Sequence, residues 1–197
     1  MHWYEKILKE QSNMENISVN YASLKWTEDL SLSRCYNLYS YNKIIGSLKW
    51  ENEIDSFAFG GVCGEKYYLS KKGIFKPHLI IRDAKKPDLN IELSYSKKAG
   101  NGKLILSNGQ IVNWQRKASW KNEWEIYKTE YYEDEKNIND YKILLSFTPI
   151  TSSGKSGCFV KVHDIYLENN ILSMMLLLGM YCIATSADDN LISISLD

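Results

Sequence analysis

ILSMMLLLGMYCIAT, residues 171–185, is apolar from end to end apart from Ser173 and Thr185. A helix with no polar face must be surrounded on every side, by lipid or by the rest of its own chain. At about 1.5 Å rise per residue the run covers roughly 22 Å, short of the ~30 Å hydrocarbon core that a spanning helix crosses. Its flanks are wrong for a membrane as well. The last Lys or Arg of the chain is Lys161, and Asp188 and Asp189 follow the run, whereas a spanning helix keeps basic residues on its cytoplasmic side. The run therefore reads as a helix buried inside its own protein, with no transmembrane segment. Asn169 and Asn170 supply capping oxygens, Glu168 suits the positive end of the dipole, and the expected helix covers about 168–186. Gly179, in its middle, marks a close approach to the surrounding wall.

Everything upstream has a different period. Short alternating runs rich in Tyr, Trp, Ile, Val and Leu are divided by Gly and Asn. Candidate strands are 23–26, 34–41, 43–50, 56–60, 66–71, 73–82, 90–97, 103–106, 111–115, 123–129, 141–147 and 158–166. Asn108-Gly109 makes the clearest hairpin, because both turn positions of that pair favour positive φ. Pro77 demands an edge, a bulge or a break in its run, since proline cannot donate to a ladder. Eight strands close around side chains alone; eleven or twelve leave a bore about as wide as a helix. The expected fold is mainly β, a closed antiparallel barrel of about twelve strands around the buried C-terminal helix. Closure would also remove sheet edges.

The chain has 197 residues with no linker or repeat, and one all-β domain of that length is ordinary. Residues 1–20, with Trp3, Ile7 and Leu8 on one helical face, read as an N-terminal extension, and 21–197 as the domain. Lys plus Arg (24) balances Asp plus Glu (24), which removes any global attraction to nucleic acid. The N-terminus has no uninterrupted apolar stretch and does not read as a signal peptide. Asn16-Ile17-Ser18 then matches a glycosylation acceptor by chance, and a reducing cytoplasm, with peripheral contact to a membrane, is the expected location. Cys35, Cys63, Cys158 and Cys182 show no ligand spacing, and Cys182 reads as a buried small apolar group.

The run GKLILSNGQIVNWQRKASWKNEWEIY (Gly102–Tyr127) and the helix segment LLLGMY (Leu176–Tyr181) resemble the tubby C-terminal-like superfamily, in particular its LURP-one-related and scramblase-like branch and small bacterial members of it. The likeness covers most of Tyr36–Thr185. It implies a twelve-stranded barrel around a hydrophobic helix. Tubby proteins of that superfamily bind phosphoinositide head groups through basic residues, and scramblase-like members are linked to membranes. None of those site residues has a counterpart in this chain, so the resemblance carries the fold and no site.

Catalytic and metal chemistry find little support. Ser153-Gly154-Lys155-Ser156 lacks the earlier glycine of a phosphate-binding loop, its place being taken by Pro149. Phe59–Gly64 could form an anion-binding backbone nest, or simply turn a barrel corner. The acidic residues Glu130, Glu133, Asp134, Glu135 and Asp140 lack the spacing and glycine of a calcium loop. His2, His78 and His163 are far apart, and none adjoins a nucleophile motif. Trp114, Trp120 and Trp124 could stack on a ligand, but cross-strand packing is the simpler reading. What remains is a basic set, Lys97, Lys98, Lys103, Arg116, Lys117 and Lys121, near the ends of neighbouring hairpins. If these converge, they suit an anionic phospholipid head group. The expectation is a non-enzymatic protein without cofactor or metal that binds a ligand or partner on its outer surface. A protein-interaction module, or a carrier of an apolar ligand in the bore, are the alternatives.

Overall fold

The structure is a computed structural model that describes residues 23–51, 57–72, 78–96, 101–106, 109–117, 123–130, 140–150 and 156–194. Among them are twelve strands: β1 (Leu24–Glu28), β2 (Cys35–Ser40), β3 (Lys43–Trp50), β4 (Phe57–Val62), β5 (Glu65–Lys72), β6 (His78–Asp83), β7 (Lys86–Ser96), β8 (Asn101–Ile105), β9 (Ile111–Arg116), β10 (Trp124–Glu130), β11 (Asp140–Pro149) and β12 (Gly157–Val162). One helix, α1 (Asn169–Ile194), follows them. The fold is mainly β and antiparallel. Each strand pairs with the next, and β1 also pairs with β12, Leu24 standing opposite Val160 and Thr27 opposite Gly157. The order of neighbours thus runs full circle.

Alternation places one face of this sheet inward. Leu38, Leu48, Trp50, Leu69 and Trp114 are fully buried at every second position of their strands. α1 meets that face from both sides at once: it packs against β3–β5 and against β10–β12, arcs lying across the sheet from one another. Leu172 to Cys182 are buried without interruption, which is what a helix lacking a polar face requires. Ser173, its one polar residue in that stretch, donates its hydroxyl to the carbonyl of Val62 at 3.1 Å. Tyr181 stacks on Trp50 at 5.4 Å between centroids, and the Cys158 thiol meets Met180 Sδ at 3.8 Å. Burial pushes the thiols of Cys158 and Cys182 up, Cys182 to about 12, so Cys182 behaves as the apolar filler its sequence context suggests.

Three differences from the sequence reading have physical causes. The helix runs to Ile194 rather than stopping near 186, because apolarity ends at Thr185 but no Gly or Pro after Gly179 terminates the backbone. No helix among the described residues is long and apolar enough to cross a membrane. The stretch between candidate strands 73–82 and 90–97 turns only at Ala84-Lys85, and β7 begins at Lys86 with Pro87 inside it. The Asp83 side chain makes this short turn work by accepting the Lys85 backbone N–H at 2.7 Å. Gly60 and Gly61 do not turn a corner: they sit within β4, and a Cβ on Gly60 would stand 2.5 Å from Leu177 Cδ2. The turn itself is Cys63-Gly64, both at positive φ (50° and 82°). The N-terminal extension, Pro77 and most of the acidic loop lie outside the described residues.

Turns 41–42, 63–64 and 84–85 and the segment 163–168 share the end at which α1 begins, here the near end. Arg34, Trp50, Arg116 and Trp124 mark the opposite, far end.

Candidate functional site

The basic residues expected to converge are placed as follows. Lys97, Lys98 and Lys121 lie outside the described residues. Lys103 is exposed on β8 opposite Asn113. Arg116 stands opposite Trp124, and its guanidinium lies 5.7 Å from the centroid of that buried ring. Alternation therefore sends Lys103 and Arg116 to opposite faces of the sheet. Arg116 acts as a lid on the far end, much as Arg34 does over Trp50 at 4.8 Å. Lys117 points to the outer wall and is tied down, its ammonium 2.8 Å from Glu125 Oε1. The three described members of the set are thus divided by strand parity, which no count of charges per hairpin can register. Trp114 and Trp124 are buried and stacked on each other at 4.9 Å, so they pack; Trp120 lies outside the described residues.

A different group of residues assembles on the outer wall of β9–β12. Trp124 and Ile126 face inward, so Glu125 faces out, yet it is only 2% exposed. Its two oxygens accept from Lys117 Nζ at 2.8 Å and Gln115 Nε2 at 3.4 Å. Hydrogen bonding to Glu125 raises the Lys117 ammonium above its ordinary value. Ser146 stands directly opposite Glu125 on the neighbouring strand, and Lys161 directly opposite Ser146. Ser146 Oγ and His163 Nε2 share a hydrogen bond of 2.9 Å. His163 is lowered from 6.5, first by burial and then by Lys161; Glu125 pulls the other way and Lys117 adds repulsion. Lys117 thus contacts the buried Glu125 carboxylate, and Ser146, His163 and Lys161 follow it across the same face.

Sequence reasoning considered His163 but missed Ser146 and the pairing of the two, because they lie 17 positions apart and meet only through the β11–β12 register. A Ser–His nucleophile also needs a carboxylate on the second ring nitrogen; the carboxylate of this face, Glu125, is bound by Lys117 and Gln115. Nearby, Lys142 holds Asp164 at 2.7 Å and keeps its carboxyl below the ordinary range. Among the described residues no three His, Cys, Asp or Glu side chains gather as a metal site would require. The phosphate-loop look-alike ends at Ser156, whose hydroxyl binds Glu28 and Tyr36. Comparison with protein-family models, curated proteins and solved structures returns no match.

Proposed function

We propose that the chain is a tubby-like barrel, closed around its own helix, that binds a phosphate-bearing group on its outer wall without chemistry of its own. The observation that carries this reading is the cluster around Glu125. Lys117 is fixed there by a buried carboxylate, and Lys161, His163 and the Ser146 hydroxyl flank it on the same face. Ammonium groups act on phosphate as point charges, and imidazole and hydroxyl add directed hydrogen bonds. Glu125 offsets one charge and sets the position of the rest. An anionic phospholipid head group is the ligand of choice. The filled interior argues against a carrier of apolar molecules, since Gly179 and Ser173 of α1 meet the strands directly and Gly60 of β4 meets Leu177 of the helix.

Flotation with vesicles tests the reading. Phosphoinositide-containing vesicles should carry the protein to the top fraction, vesicles of phosphatidylcholine alone should not, and Lys161→Glu should abolish the difference. Equal recovery with both vesicle types, unaltered by that substitution, removes the proposal.

A second reading, a protein-interaction module, is favoured by exposed apolar side chains at the near end. Tyr166 is 89% and Ile165 63% exposed, and Ile105 and Ile111 are exposed directly opposite each other on the β8–β9 hairpin. Affinity purification from the native host, with Ile165→Ser plus Tyr166→Ser as the control, separates this reading from lipid binding. A partner retained by both forms counts against it.

A further inference from the structure

The near end holds a second feature, remote in sequence from the Glu125 cluster. Between the first turn of α1, strands β5–β7 and Leu106 just after β8 lies a cleft of about 100 Å³, with Ile91, Leu106, Ile171 and Met174 as its apolar lining and Tyr67, Asp83 and Lys86 as its polar side. We propose that this cleft binds a free α-amino acid with a branched apolar side chain.

The polar side is a cross-strand row. Tyr67 stands opposite Asp83 across β5–β6, and Asp83 opposite Lys86 across the β6–β7 turn. A carboxylate and an ammonium placed directly opposite each other normally close into an ion pair. Here neither does: Asp83 Oδ1 is taken by the Lys85 backbone N–H at 2.7 Å, and Lys85 itself bonds Glu65 at 3.1 Å. Among the described residues Asp83 and Lys86 therefore present one negative and one positive group at the same opening. Tyr67 spends its proton on the carbonyl of Asn170 at 2.8 Å, which leaves its phenol oxygen as an acceptor.

A zwitterion is the ligand that satisfies both charges at once. Its α-ammonium would meet Asp83 and the Tyr67 oxygen, and its α-carboxylate would meet Lys86. An apolar cavity of about 150 Å³ accommodates benzene, so the smaller volume available here suits an isobutyl-sized group seated on Leu106, Ile171 and Met174. A simple anion would leave Asp83 opposed, and a simple cation would leave Lys86 opposed.

The test uses L-leucine on the intact chain, followed by calorimetric titration and thermal shift. Saturable binding is expected, with affinity falling about tenfold for N-acetyl-leucine, which lacks the ammonium, and about tenfold for leucinamide, which lacks the carboxylate. Asp83→Asn keeps the acceptor that the β6–β7 turn needs and should lose about tenfold, as should Lys86→Met. Lys161→Glu should leave leucine binding unchanged, which keeps this site separate from the outer-wall proposal. No saturable binding of L-leucine, or equal binding of all three probes, overturns the inference.

Discussion

The ring of Phe147 occupies the space beside Gly179 that any side chain at 179 would need. The contact joins the middle of α1 to β11 and explains why a residue that costs a helix about 1 kcal/mol stands at the centre of the longest apolar run. Gly179→Ala should therefore destabilise the protein despite better helix propensity. Overpacking of this kind costs about 1–3 kcal/mol, and the melting temperature should fall by roughly 2–4 °C for each kcal/mol. Phe147→Leu in the same chain should recover part of that loss, a coupling that a thermal melt of the double variant reads directly.

Leu177, fully buried, packs directly against Gly60 of β4. Leu177→Asp would place an unpaired carboxylate among apolar groups at a cost of several kcal/mol, comparable with the stability of a whole domain. The expected product is insoluble or unfolded in circular dichroism. A soluble variant with the parent melting temperature would contradict the burial.

On the outer wall, the Glu125 carboxylate is covered and depends on Lys117 for its charge balance. Lys117→Met should cost about 1–3 kcal/mol, the usual loss when a buried acceptor is left without its partner. Adding Glu125→Gln removes the orphaned charge, so the double variant should be more stable than Lys117→Met alone. Denaturant titration of the four proteins measures the coupling.

His163 gives the fold a pH dependence of definite sign. Its folded-state value lies below 6.5, so the unfolded chain takes up the proton first as pH falls. The stability tied to the neutral ring is complete above 6.5 and is lost as pH drops toward the folded-state value. Relative to His163→Asn, the parent protein should lose its advantage as pH falls below 6.5, as followed by melting temperature in matched buffers. Once pH falls below the folded-state value, protonation adds positive charge beside Lys161 and Lys117, so phosphate binding should strengthen.

Much of this architecture can be read from the residues themselves. The period-two runs locate each of the twelve strands, β3 to the residue at both ends, because alternation and turn chemistry are local properties. The run 171–185 announces its burial because a helix without a polar face has no other stable surrounding. The helix end was not legible, since composition changes at Thr185 while the backbone has no reason to stop. The site was less legible still. Lys103 and Arg116 look alike in sequence but differ in strand parity, and Glu125 joins Gln115, Lys117 and, through Ser146, His163 only by the register of four strands. Register is set by every ladder together and leaves no mark on any single segment.

The proposed outer-wall site rests on α1 covering the inner face of the sheet, and native-state hydrogen exchange of Leu172–Tyr181 tests this most directly. If α1 is the common core of both arcs of the sheet, these amides should exchange only through global unfolding, at the slowest rate in the molecule. Exchange of this segment through local opening, while β3 and β11 stay protected, would contradict the account.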